Sequence, residues 1–411
     1  MTDRLYYHDS FLYNFDAEIR SVIEGPRPAI ILDRTAFYPA SGGQIHDTGW
    51  IVSPDLDPDA AKLRVTEVAD TEDGQVIHYL EAPVKDFQPG ARVRGKVDAA
   101  PRRDHMQQHS AQHVLSAAFL HLFNMPTVSF HMADDYCSID LDTPALSKSQ
   151  IESAERLANE IILENRPVEI QFVTRDEAEK LALRKLPPVE REQLRLIDIH
   201  DFDLTACGGT HVSCTGQIGS ISLRKSEKVR HGYRVEFVAG QRAVATARRD
   251  FSALTETAAL FSSGIYDVPQ QARKSLDEIR WLQKQGEQSQ DELSAALAAN
   301  LLVETPEENG RKLIVRTFSA RDLNFLKLLA QKLTRQSPAI ALLATDSPQP
   351  ALVFAQSAGQ PHDMSALLKQ TMAKLGGRGG GSKDLAQGGA PRSEGFAAAL
   401  ASVAETVTLS S

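Results

Sequence analysis

The chain has 411 residues, 42% of them hydrophobic and 24% charged, with a formal net charge of −9. That length suggests two to four domains and a core large enough to fold without disulfides. The acidic balance excludes a protein that coats nucleic acid through bulk charge, while leaving room for a local basic groove.

The first hundred residues carry short apolar runs broken by turn residues, at 29–32, 49–52, 76–80 and 93–97. Such spacing predicts an all-β module, a small barrel. A helix follows, with Asp104 as N-cap and Met106, Val114, Leu115, Ala118, Phe119 and Leu122 as its apolar stripe. Strands are expected at 137–141 and 168–173, helices at 148–165 and 175–184, giving an α+β layer domain over about 101–246. The basic stretch Arg224, Lys225, Lys228, Arg230, His231 and Arg234, interrupted by Glu227, reads either as a groove for an anionic partner or as a solvated strand edge.

Residues 247–303 are helix-compatible. Ile279, Leu282, Leu293, Leu297 and Leu301 recur among polar residues, which suits a helical hairpin, a short coiled coil that dimerises, or an intramolecular spacer. From about 308 onward, strand runs at 313–315, 340–343 and 352–355 alternate with helical patterns at 322–335 and 363–375, predicting a small α/β domain. It closes with a Gly-rich segment, 376–389, and a helix near 394–405. The organisation expected is therefore barrel 1–100, α+β domain 101–246, helical linker 247–307 and α/β domain 308–411.

Three cysteines, Cys137, Cys207 and Cys214, do not make a secreted disulfide framework. No basic-then-apolar leader and no run of ~18 apolar residues is present, so a cytoplasmic protein without membrane contact is expected. The strongest chemical signal is a pair of spaced motifs, His109-Ser-Ala-Gln-His113 and Cys207-Gly-Gly-Thr-His211. Helix positions i and i+4 share a face, and the two glycines let the second motif turn onto one point. Imidazoles with a thiolate favour zinc over magnesium or calcium, one ion per chain. His105 is a second-shell group, an alternative ligand or, as the plainer reading, a surface helix residue, and Cys214 is a bystander. Four protein ligands suit a closed structural site as well as a reactive one. A second signal is Thr35 to Gln44, where Gly42 and Gly43 permit close approach to a ligand and Thr35 offers a hydroxyl; an ordinary β-turn is the alternative.

The segments TAFYPASGGQ, HMQQHSAQH, TACGGTHVSCTGQIG and GYRVEFVAGQRA, in that order, resemble the editing domain of alanyl-tRNA synthetase and its freestanding AlaX relatives. GGRGGGSKDLAQGGAP resembles the Gly-rich signature of that synthetase's C-terminal domain, as in the long AlaX form. The resemblance implies a zinc-dependent aminoacyl-ester hydrolase that deacylates mischarged tRNA(Ala) carrying serine or glycine, a translation-fidelity function. It implies His109, His113, Cys207 and His211 as zinc ligands, and Thr35, Gly42, Gly43 and Gln44 at the amino-acid pocket. It further implies Arg378, Gly379, Gly380, Gly381 and Lys383 at the tRNA. The chain departs at Ala40 and Ala111, where relatives often carry other small residues. Since it begins directly at the barrel, no ATP-dependent charging is expected. No general base is identifiable. A tRNA-binding module with a purely structural zinc is the alternative function. A phosphoesterase of the Asp-His-His class would have to use Asp104-His105-Met106.

Overall fold

The computed structural model describes residues 1–53, 62–83, 87–181, 183–184, 193–347 and 349–409. They form two units, the first Met1–Glu256 and the second beginning at Thr257.

In the first unit, β1 (Asp3–Arg4) pairs in parallel with β4 (Arg34–Thr35). Strands β2 (Asn14–Ile23), β3 (Ala29–Leu32), β5 (Gly49–Val52), β6 (Lys62–Asp70), β7 (Val76–Leu80) and β8 (Arg92–Val97) close the expected barrel in the order β2-β3-β7-β6-β5-β8. Closure removes exposed strand edges. Alternation fills the interior: Val93, Gly95 and Val97 point inward while Arg92, Arg94 and Lys96 face water. Ile19, Ile30, Phe37, Ile51 and Val65 complete this core.

Helix α1 (Ala99–Phe123) starts six residues earlier than expected, capped at Asp98 rather than Asp104. The Asp104 carboxylate instead holds the Arg242 guanidinium at 2.6–3.0 Å. Arg102, three residues into the helix, is wholly buried. So is nearly every residue from His105 to Phe119, while Leu122, assigned to the apolar stripe, is exposed. The helix is thus enclosed on all sides, and its buried glutamines are satisfied individually: Gln107 donates to Gln217 O and Gln108 to Ala239 O.

Strands β9 (Thr127–Met132), β10 (Cys137–Leu141), β14 (Ile221–Val229) and β15 (Gly232–Ala239) form a sheet in the order β14-β15-β10-β9. Helix α2 (Lys148–Leu163) opens on a capping box made by Ser147 and Gln150. Strands β11 (Val168–Thr174), β12 (Gln193–Ile199) and β13 (Asp203–Ala206) make a three-stranded sheet. The helix expected over 175–184 is one turn only, α3 (Arg175–Ala178); position 182 lies outside the described residues. The basic stretch is the β14–β15 hairpin. Arg224, Lys225 and Arg234 are paired with Asp250, Glu227 and Asp140, as a solvated strand edge would be.

Helix α4 (Gly240–Leu260) leads out of the first unit, and α5 (Val268–Glu304) belongs to the second. Ile279, Leu282 and Leu293 on α5 are exposed, whereas Ala298 and Leu301 are buried in the core of the second unit. There β16 (Glu307–Glu308), β17 (Arg311–Phe318), β18 (Ala339–Thr345), β19 (Ala351–Gln356), β20 (Arg378–Gly381) and β21 (Leu385–Gly389) form one sheet, ordered β16-β17-β18-β19-β21-β20. Helix α6 (Leu323–Gln336) connects the parallel pair β17 and β18. Period-two alternation serves both faces. Ala341, Leu343 and Val353 pack with α5 and α6, while Leu342, Leu352 and Phe354 pack with α7 (Met364–Lys374) and α8 (Phe396–Leu409). The Gly-rich segment is therefore a hairpin. Gly381 could not carry a Cβ, which would lie 2.2 Å from Leu385 O. Among the described residues no helix is long and apolar enough to cross a membrane.

Candidate metal centre

His109 and His113 lie one turn apart on α1, and strand β13 runs toward Cys207. On β13, Asp203 and Thr205 are buried on one face, while Leu204 and Ala206 pack on the other against the small cluster around Leu194 and Leu196. The chain then turns through Gly208 and Gly209 to His211. At Gly209 a Cβ would sit 2.1 Å from His109 Cε1, so only glycine admits the imidazole.

These elements bring one donor atom from each of His109, His113, Cys207 and His211 within 4.8 Å of one another. Cys207 Sγ is 3.5 Å from His109 Nε2 and 3.4 Å from His211 Nε2. The far nitrogen of each ring has a polar neighbour. Gln44 Oε1 accepts from the Thr210 amide at 3.1 Å, which orients that side-chain amide with its oxygen toward His109. His109 Nδ1, 2.7 Å from the same oxygen, must therefore carry the proton and leave the Nε2 lone pair facing the cluster. His113 Nδ1 lies 3.3 Å from Asp203 Oδ2, and His211 Nδ1 lies 3.1 Å from Ser110 Oγ.

The electrostatics favour a thiolate beside a neutral His211, whereas at His113 burial is outweighed by hydrogen bonds to Asp203 and Cys207, which raise the imidazole pKa. Burial pushes the Cys207 thiol up, but the imidazoles of His109, His211 and His113 packed around it outweigh burial and hold the thiol well below its ordinary value. Burial pushes His211 well below the usual imidazole range. Burial also opposes the Asp203 carboxylate, yet His113 and Arg184 keep its pKa below the usual value. A metal ion requires a deprotonated thiol and free ring nitrogens, so binding one here would release the His113 proton; with four donor atoms gathered within 4.8 Å, these residues could hold one.

The segment from Thr35 to Asp47 is pinned beside this cluster by a buried ion pair. Asp47 accepts from Arg102 Nε at 3.1 Å, from Arg102 Nη2 and from the Tyr38 amide at 2.6 Å. Gly43, at φ +85°, lies so close to β9 that a Cβ would meet Phe130 O at 2.3 Å. Gly42 borders the cluster. Gln44, expected at the substrate, is buried and engaged with His109 and Thr210. Thr35 is fully buried in the barrel. Its hydroxyl donates to His78 Nε2 at 2.8 Å and accepts from the Phe37 amide at 3.0 Å. His78 Nδ1 faces Ile30 O at 3.2 Å, and burial pushes the ring down to about 4.

Two recesses meet the cluster. One, of about 70 Å³, is walled by Tyr6, Tyr7, Tyr38 and Pro39. The other, of about 310 Å³, is walled by Gln112, Thr127, Phe130, Arg184 and Thr205. Both share Gly42, His109, Cys207 and Gly208. Thr35 and Gly43 are on neither wall.

His105 is not the surface residue expected. It is 5% exposed, with Nδ1 3.9 Å from Asp47 Oδ1, and stands apart from the four donors. Cys214 also stands apart, and Asp104 is committed to Arg242. Sequence reasoning missed Asp203, Arg184 and Arg195. Arg195 Nη1 donates to the carbonyls of Cys207 (2.7 Å) and Gly209 (3.0 Å), and its Nε to Tyr7 O (2.8 Å). Asp203 and Thr205 share the strand face that ends at Cys207, a signal readable from alternation; nothing local to Arg195 announces its partners. In the second unit, Arg378, Gly379, Gly381 and Lys383 are exposed on or beside β20, and Gly380 is partly so.

The family described as "tRNA synthetases class II (A)" matches residues 4–101, and "Threonyl and Alanyl tRNA synthetase second additional domain" matches residues 194–235. The chain is 30% identical over 393 residues to the alanyl-tRNA editing protein AlaX-L of Pyrococcus horikoshii, covering 94% of each. It is 31% identical over 395 residues to the alanine–tRNA ligase of Pyrococcus furiosus, covering 94% of this chain and 42% of that enzyme. The chain thus spans well under half the length of the ligases it matches. The C-Ala domain of Aquifex aeolicus alanyl-tRNA synthetase aligns with 25% of this chain and 97% of its own at 21% identity, with a TM-score of 0.24.

Proposed function

Because the chain belongs to the alanyl-tRNA editing protein family, we propose that it is a zinc-dependent hydrolase that removes serine or glycine from mischarged tRNA(Ala). The observation that carries this reading is the convergence of three imidazoles and a thiolate at the wall of a cleft large enough for a ligand. A tetrahedral zinc with Zn–N near 2.0–2.1 Å and Zn–S near 2.3 Å needs N···S edges of about 3.5 Å. The Cys207 separations of 3.4 and 3.5 Å agree with that. His109, His113, Cys207 and His211 would hold one ion per chain. Bound there, zinc would supply positive charge to polarise an ester carbonyl or lower the pKa of a water.

The remaining residues bind and orient. Gln44 fixes the His109 tautomer, Asp203 and Ser110 stand beside the far nitrogens of His113 and His211, and Arg195 fixes the turn that presents Cys207. An alanine pocket rejects serine poorly, whereas a site that hydrogen-bonds a hydroxyl rejects alanine strongly. Thr35 keeps one unused acceptor lone pair after its two bonds. Using it on a serine hydroxyl requires the side chains over Thr35 to move on binding, with Gly42 and Gly43 easing that approach. Thr35→Val would then lose the preference for seryl over alanyl ester; an unchanged preference removes Thr35 from the role. Glycine acceptance rests on size.

In the second unit, Arg378, Gly379, Gly380, Gly381 and Lys383 are proposed to follow the tRNA backbone. The division into 1–100, 101–246, 247–307 and 308–411, a cytoplasmic location and a homodimer through the helical segment or the C-terminal domain belong to the same proposal. A complete set of four protein donors favours one alternative, a tRNA-binding module with structural zinc. Deacylation by the zinc-loaded protein separates the two; in Cys207→Ala, zinc content and deacylation should fall together, and loss of zinc with full activity would contradict a role in the reaction.

A further inference from the structure

The recess of about 70 Å³ has room for about two waters' share of liquid volume, too little for a nucleoside. The cleft of about 310 Å³ reaches the range of ligand sites. Among the described residues, Arg184 is the one guanidinium or ammonium group on its wall. Arg184 donates Nε and Nη2 to Asp203 at 2.7 and 3.1 Å, and Asp203 in turn faces His113. Among the described residues the third guanidinium nitrogen, Nη1, has no partner, and neither has Thr205 Oγ1. The fork is therefore held rigid by the carboxylate while one donor stays unused, which suits contact with an anion at little entropic cost. Phe130, stacked on His109, gives the same cleft an aromatic face, and Gln112 and Thr127 add polar groups.

Resting on the hydrolase reading above, we propose that this cleft receives the terminal nucleotide of the ester, with Arg184 contacting its 5′-phosphate as a positioning residue. The base lies against Phe130 and the ribose toward the cluster, which brings the ester to the donors.

The test compares ligands with and without that phosphate. Calorimetric titration of the zinc-loaded protein should give AMP about ten-fold tighter binding than adenosine, the worth of one charge-assisted hydrogen bond. Arg184→Gln should erase the difference while adenosine binds as before. In hydrolysis, the variant should raise KM for the seryl ester of the dinucleotide CpA by a clearly larger factor than that for seryl-adenosine. Equal affinity of the unaltered protein for AMP and adenosine overturns the proposal. So does equal loss on both esters, which would mean that Arg184 acts only through Asp203 on His113. Should Arg184→Gln lose zinc, Arg184→Lys is the control, because it keeps a cation on the wall: part of the preference for AMP should survive in the zinc-loaded variant, and its complete loss also overturns the proposal. If the unaltered protein cleaves neither ester, the hydrolase reading falls, and the titration alone still decides the cleft.

Discussion

The ion pair between Asp47 and Arg102 offers the sharpest stability test. The Arg102 guanidinium is fully buried and also donates to Ser10 O and Ala36 O, so it joins the chain start, the Gly-rich segment and α1. Asp47→Ala leaves that cation without a counter-charge and the Tyr38 amide without its acceptor. Breaking one side of a buried pair costs about 3–5 kcal/mol. For a unit of this size, each kcal/mol lowers Tm by roughly 2–4 °C, so the midpoint should fall by roughly 6–20 °C. Against a usual stability of about 5–15 kcal/mol the variant still folds. Urea unfolding followed by circular dichroism measures the change. Replacing both partners together, Asp47→Leu with Arg102→Met, should recover most of it, because an apolar pair removes the orphaned charge. A single Asp47→Ala variant within about 1 kcal/mol of the parent would refute the reasoning.

His78 predicts the acid limb of stability. Its ring titrates near 4 when folded against an ordinary 6.5, so its contribution is complete above pH 6.5 and is lost as the pH falls toward 4. The amount is up to roughly 3 kcal/mol, and His78→Gln should flatten that limb; an identical limb in the variant contradicts the assignment. Gln44→Ala should weaken zinc binding by about 10–100-fold, measured by chelator competition, because it frees the His109 ring. Unchanged affinity would return Gln44 to substrate alone. Arg378→Ala combined with Lys383→Ala should lower tRNA affinity and reduce the salt slope by about 1 per lost phosphate contact; an unaltered slope excludes the hairpin from the tRNA.

Much of this was legible in the chain because the signals were local. Alternation of Val93, Gly95 and Val97 with charged neighbours declared a barrel strand, and His109 with His113 declared one helix face. The errors arose where a distant partner overrode local appearance. Arg102-Arg103-Asp104 reads as a charged helix entrance, yet Arg102 is buried against Asp47, 55 residues away. The same enclosure hides His105, whose polar neighbours looked solvent-facing but are buried with it. Gln44 sits in a motif that suggests a ligand loop, and its contact with His109 exists only because the barrel brings that loop against α1. The glycines at 376–389 read as a Gly-rich segment at the tRNA by resemblance; their close packing within a hairpin depends on Leu385 O and on Met372 of α7.

Deacylation by the purified, zinc-loaded protein of seryl-, glycyl- and alanyl-tRNA(Ala) bears most directly on the central claim. The account predicts rapid release of serine or glycine and sparing of alanine. Release from none of the three, with zinc bound, would contradict it.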